Sequence, residues 1–101
     1  MNKISIIIVS YNVRTYLSNS IDSILKSSIE NFELIIVDNN SFDDTAEYIS
    51  NNHPSIKLIA NKSNVGFGKA VNQGAKIANS EYLLILNPDT IIQEDTLEKL
   101  I

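Results

Sequence analysis

Apolar residues gather in four short runs along the chain: Ile4–Val9, Phe32–Val37, Ile56–Ala60 and Tyr82–Leu86. Each is rich in Ile, Val or Leu and does not strictly alternate with polar residues, which is the pattern of strands covered on both faces. The stretches between them carry helical spacing. Val13, Tyr16, Leu17, Ile21, Ile24 and Leu25 recur three and four apart on one face, with Asn12 placed as the N-cap. A shorter helix, capped by Ser41 or Asp43, passes through Ala46 and Ile49 and stops before Pro54. A third runs from about Gly68 to Ala78, turning Val71, Ala75 and Ala78 inward, with Gly74 allowing close approach to the sheet. A fourth starts near Glu94 or Asp95 and carries Leu97, Leu100 and Ile101.

Strand–helix alternation at this spacing predicts βαβ units and an α/β fold with a mainly parallel sheet, of order 3-2-1-4, flanked by helices. Right-handed crossovers bring the strand carboxyl ends to one edge, where open sheets bind ligands. Ser-Tyr-Asn at 10–12, Asp-Asn-Asn at 38–40 and Asn-Pro-Asp at 87–89 all follow strand ends and should converge on one cleft.

Composition narrows the chemistry. The 101 residues, 44% hydrophobic with a net charge of −4, suit one small core. With no cysteine and His53 as the only histidine, thiolate and multi-histidine metal sites are excluded. The acidic balance leaves no basic stripe for nucleic acid, although one bound nucleotide needs only a local pocket. The first apolar run is too short for a signal peptide or for a membrane span of about 20 apolar residues. The expected location is the cytoplasm.

Asp38 directly follows Val37 and can accept hydrogen bonds from a ribose or a pyrimidine N–H; at a lone strand end a place in the turn, capping the next helix, is the more common role. Ser41, Asp43 and Asp44 already offer caps, so Asp38 reads as spare. Tyr11 can stack on a base or sit half-buried at the sheet edge. Pro88 stiffens the turn that presents Asn87 and Asp89, two oxygen donors suited to Mg²⁺ or Mn²⁺ together with a diphosphate; Asx hydrogen bonding in a proline turn is the plainer reading. In the stretch NKSNVGFGKAVNQG at 61–74, Gly66 and Gly68 permit close backbone approach, Lys69 adds positive charge near a helix start, and Asn72 offers an amide beside Val71. Ala70 stands where a Walker A loop requires Ser or Thr, and no glycine-rich turn follows the first strand.

The ordered set IIIVSYN, LIIVDNNSFDDT, NVGFGKAVNQG and LLILNPDT resembles the N-terminal half of family 2 glycosyltransferases over essentially the whole chain. The resemblance implies a Rossmann-like GT-A nucleotide-binding half, with residues 1–101 as the N-terminal, nucleotide-sugar-binding part of a truncated domain. It implies nucleotide contacts from Ser10, Tyr11, Asp38, Asn40, Gly66, Lys69, Asn72 and Asn87, and a divalent cation, Mg²⁺ or Mn²⁺, on Asp89. The donor would be a UDP-, dTDP- or GDP-sugar; the acceptor, a glycan or lipid-linked hydroxyl, would be met at the inner face of a membrane in the complete enzyme. Asn87 departs from the family's D-x-D pattern by replacing its first acid, a feature similar to rhamnosyltransferase-like members. The family's general base lies beyond this stretch, so the 101 residues alone are expected to be inactive. Apolar surface beside the fourth strand and around Leu100 and Ile101 is expected to favour self-association. A non-enzymatic, receiver-like or nucleotide-binding α/β module is the competing reading.

Overall fold

The computed structural model describes residues 2–101. Along β1 (Asn2–Ser10), Ile4, Ile6 and Ile8 face one way and Ile7 and Val9 the other, and helices cover both sides. The chain continues through α1 (Arg14–Leu25), β2 (Phe32–Asp38), α2 (Thr45–Asn52), β3 (Lys57–Ala60), α3 (Phe67–Ile77), β4 (Ser80–Leu86) and α4 (Thr96–Leu100). The strands form one sheet of order β3-β2-β1-β4, and every neighbouring pair is parallel. The expected order holds. Register aligns Ser10 with Asp38 and Ile8 with Leu86, so the segments after β1, β2 and β4 leave the sheet along one edge.

Leu17, Ile21 and Ile24 of α1, Ile49 of α2 and Leu97 of α4 pack on Ile4, Ile6, Ile8, Leu34 and Ile36. Ala70 of α3 packs on Ile7, Ile35 and Val37 across the sheet. The buried stripe of α1 is narrower than its spacing predicts, because Tyr16 and Leu25 lie at the margins and are exposed. In α3 the buried residues are Ala70 and Gly74, with Ala75 and Ala78 flanking them and Val71 only partly covered. The closest line of approach explains this shift. A Cβ built on Gly74 would stand 2.9 Å from Cγ2 of Ile7, so the helix rests on the sheet at a position that has no side chain.

β4 departs from the expectation of cover on both faces. Helix α3 lies over β1 and β2, leaving Leu83 and Ile85 of β4 48% and 42% exposed. Leu100 and Ile101 are exposed as well, so the apolar surface expected there is present. None of the described helices is long and apolar enough to cross a membrane.

At the amino end of the sheet, buried Glu33 of β2 joins several elements. Its Oε1 meets the Lys57 ammonium of β3 at 2.7 Å. Its Oε2 accepts from the Asn79 N–H, just past α3, and from the Ser5 hydroxyl of β1, itself 2.7 Å from the hydroxyl of Ser80 on β4. Burial opposes the charge, but Lys57, Ser5 and the Asn79 N–H outweigh it and lower the Glu33 pKa to about 2.

Two outcomes are expected. Gly74→Ala should lower stability by about 1 kcal/mol in urea unfolding, since crowding against Ile7 outweighs the gain in helix propensity. The depressed Glu33 pKa contributes stability that is fully present above pH 4.5 and is lost as pH falls toward 2. By linkage this amounts to roughly 3 kcal/mol. Glu33→Gln should therefore flatten the acid limb of the stability–pH curve, and an unchanged limb would refute the assignment.

Candidate functional site

Hydrogen bonds between side chains and backbone bolt together the loops that follow β1 and β2. Asn12 adopts a left-handed conformation with φ 54°. Its N–H donates to Ser41 Oγ at 2.9 Å and its Oδ1 accepts the Phe42 N–H at 2.7 Å. Asn12 is therefore not the N-cap of α1; Val13 occupies that position. The capping comes from the opposite loop, where Asp43 Oδ2 accepts the Arg14 N–H at 3.0 Å and Oδ1 accepts the Thr45 hydroxyl. Asp44, with φ 60°, holds the N-cap position of α2, so neither Ser41 nor Asp43 caps that helix as expected. Burial pushes the Asp43 pKa up, but hydrogen bonds from Thr45 and Arg14 win, and the carboxyl sits below its ordinary value.

Asp38 is not spare. It is 3% exposed; its Oδ1 accepts the Ser10 hydroxyl at 2.9 Å and the Ser41 hydroxyl, and its Oδ2 accepts the Ser41 N–H at 3.0 Å. A carboxylate offers about four acceptor positions, so roughly one remains. The Asp-Asn-Asn-Ser stretch commits its acid to Ser41 within its own turn and to Ser10 of β1 before any ligand arrives.

A cleft of about 390 Å³ opens at this edge, lined by Val9 and Ser10 at the end of β1, Tyr11 and Val13 after it, Asn39 after β2, Asn64, Gly66 and Phe67 at the entry to α3, and Pro88 after β4. Ser10, Tyr11 and Gly66, three of the anticipated residues, thus line the same cleft. Asp38 lies beside Ser10, beneath the surface. Asn40, Lys69, Asn72, Asn87 and Asp89 are exposed and do not line the cleft. Asp89 belongs to the turn closed by the Thr90 N–H on the Asn87 carbonyl at 3.1 Å, and its carboxylate makes no hydrogen bond among the described residues. With only β1 between them, β2 and β4 run two strand spacings apart, roughly 10 Å. Asp38 ends β2 and Asp89 follows β4 at the same edge. A larger hollow of about 540 Å³ beside the second half of α1, lined in part by Asp22, Lys26, Ile91 and Glu94, lies away from the strand ends.

Asn39 lies in the Asp-Asn-Asn segment expected at the cleft, but nothing in the sequence assigns it a role of its own. It is buried and bonds to the Gly66 loop, while Asn61 and Gln73 form a reciprocal amide pair behind it. Three amides in loops and on a helix have no periodic signature, and only their convergence in space reveals them.

An open parallel sheet whose strand-end loops enclose a cleft defines an α/β domain of the Rossmann-like kind, the class in which ligands bind at that edge. The profile described as Glycosyl transferase family 2 matches residues 5–101, and the chain belongs to that family. It is 34% identical over 101 residues to an uncharacterized glycosyltransferase of Haemophilus influenzae, covering 97% of this chain and 31% of the relative. The structure of S. aureus TarS 1–349 in complex with UDP-GlcNAc matches with a TM-score of 0.85 and 28% identity, over 97% of this chain and 30% of that one. A mannosyltransferase of Pyrobaculum calidifontis, in complex with GDP-Man and Mn²⁺, shares the fold with a TM-score of 0.85 at 23% identity, over 94% of this chain and 30% of that one. The chain thus spans about a third of the length of these relatives. Its sheet is the GT-A type that the motifs implied.

Asp38→Ala should lower stability by about 2 kcal/mol in urea unfolding, because the buried Ser10 hydroxyl and the Ser41 N–H lose their acceptor together. A change below about 0.5 kcal/mol, as at an ordinary surface position, would show that the turn does not depend on it.

Proposed function

We propose that this chain forms the donor-binding part of an inverting glycosyltransferase that takes a nucleoside diphosphate sugar with a divalent cation. The observation that carries the reading is the cleft between the carboxyl end of β1 and the entry to α3 in a family 2 glycosyltransferase sequence. The UDP-GlcNAc and GDP-Man complexes of its structural neighbours support a donor of this chemistry.

The roles follow from position. Tyr11 offers a ring to the base, and the remaining acceptor position of Asp38 suits a base N–H or a ribose hydroxyl. The first turn of α3, which begins just after Gly66, presents backbone N–H groups to the diphosphate, with Lys69 adding positive charge nearby. Asn40, Asn72 and Asn87 supply polar contacts at the rim. Among the described residues no three acids or histidines cluster to hold a metal. A single unpartnered carboxylate on Asp89 and the Asn87 amide oxygen fit a Mg²⁺ or Mn²⁺ ion shared with phosphate oxygens and water, and do not fit a protein cage. When bound, such an ion supplies charge stabilisation for the departing diphosphate.

Inverting transfer also needs a base that takes the proton of an acceptor hydroxyl as it attacks the anomeric carbon. His53 follows α2 toward the amino end of the sheet, its ring edge-on to Tyr48 at 5.9 Å, and cannot serve. Asp43 is committed to Arg14 and Thr45. The residues at the cleft therefore act on the donor side, and the 101 residues alone should bind donor without transferring sugar to a glycan or lipid-linked acceptor. Family membership, together with an Asp38 enclosed by serines, favours this reading over a receiver-like module.

Thermal-shift measurements with UDP, dTDP and GDP, each with and without Mn²⁺, test it. One nucleotide should stabilise the fold by roughly 2.7 kcal/mol at 100 times its dissociation constant, and more with Mn²⁺ than without. Asp89→Ala should abolish only the Mn²⁺-dependent increment. A folded protein that no nucleotide stabilises would overturn the proposal.

A further inference from the structure

Asn39 follows Asp38 in the chain but serves the α3 side of the cleft, where it is 2% exposed. Its Nδ2 donates to the Gly66 carbonyl at 3.3 Å, and its Oδ1 accepts from Asn61 Nδ2 at 3.0 Å and from the Val65 N–H at 3.5 Å. Asn61 exchanges two further hydrogen bonds with Gln73 of α3, at 2.8 and 3.0 Å. Only one orientation of the Asn39 amide satisfies these partners: flipped, its oxygen would face the Gly66 oxygen and its NH₂ would face that of Asn61. The Gly66 carbonyl also accepts the Ala70 N–H at 3.3 Å in the first turn of α3, and the Gly66 N–H donates to Asn64 Oδ1 at 2.8 Å. Gly66, at φ 86°, is thus held on both sides.

We propose that Asn39 is a positioning residue: through the Gly66 carbonyl it sets how the entry to α3 faces the cleft, and so tunes donor affinity. The claim about affinity rests on the donor-binding reading above. The relay directs its hydrogen bonds to the 61–66 loop, which is neither helix nor strand, and the apolar contacts of Ile7, Ile35 and Val37 do not depend on it. Released from Asn39, a left-handed glycine regains a wide range of conformations, and a ligand then has to order it on binding. Gln73, one step further along the relay and outside the cleft lining, should exert the same influence more weakly.

The test pairs amide hydrogen exchange with titration of UDP and GDP in Mn²⁺, using the whole chain. In Asn39→Ala, and in Asn39→Asp, which keeps the acceptor but loses the donor to Gly66, exchange at residues 65–70 should rise at least about tenfold while β1 and β2 amides are unchanged. Nucleotide affinity should fall about tenfold, as for one lost buried hydrogen bond. If Asn39→Ala does not fold, Gln73→Ala carries the same comparison. Exchange that is unchanged at 65–70, or that rises evenly through the sheet, would overturn the proposal. So would faster exchange at 65–70 with undiminished affinity. A wild-type chain that binds no nucleotide would instead sink the donor-binding reading, and the exchange pattern would still decide whether Asn39 positions the loop.

Discussion

A carboxylate taken out of water must be surrounded by donors, and β2 carries one such group toward each end. Glu33 draws together β1, β3 and the segment leaving α3, and Asp38 draws together β1 and the approach to α2. Both arrangements hold only in the observed register, where Ser5 lies beside Glu33 and Ser10 beside Asp38. A slip of one residue would turn both acids to the opposite face and leave each charge without partners. Strand pairing and the shape of the cleft edge are therefore one constraint.

Most of the scaffold was legible in the sequence because it rests on periodicity. The Ile-rich runs mark strands and the spacing from Leu17 to Ile24 marks a helix, since burial requires those repeats wherever the elements finally pack. Their order along the sheet and the convergence of three polar strand ends follow from βαβ handedness. Gly74 was also readable, because a glycine inside an amphipathic helix weakens that helix and belongs where a neighbouring element comes too close for a Cβ.

The misreadings share a physical cause. Asn12 has the residue type and position of an N-cap, yet its side chain is taken by the Phe42 N–H from another loop, and Asp43 performs the capping across the gap. Asp38 looked free because the caps near it appeared sufficient, whereas Ser41 and Ser10 both require it. The relay from Asn39 to Gln73 follows the same logic. Polar side chains at strand ends are assigned by tertiary proximity, which local pattern does not encode. The partly bare face of β4 is likewise a matter of where α3 crosses the sheet, not of the composition of the strand.

The central place of β1 also bears on how the chain acquires its structure. Its pairing with β2 closes over one helix, but its pairing with β4 joins residues as far apart as Lys3 and Glu81, 78 positions along the chain. Contacts this distant form late, because the entropy of closing the loop is lost before the strand pair offsets it. During synthesis the isoleucine-rich β1 therefore emerges well before β4 and keeps one edge without that partner until β4 has been made. That interval is when it is most exposed to pairing with another nascent chain. Of the serines that hold the finished sheet, Ser5 also interrupts that run and Ser10 ends it while it waits.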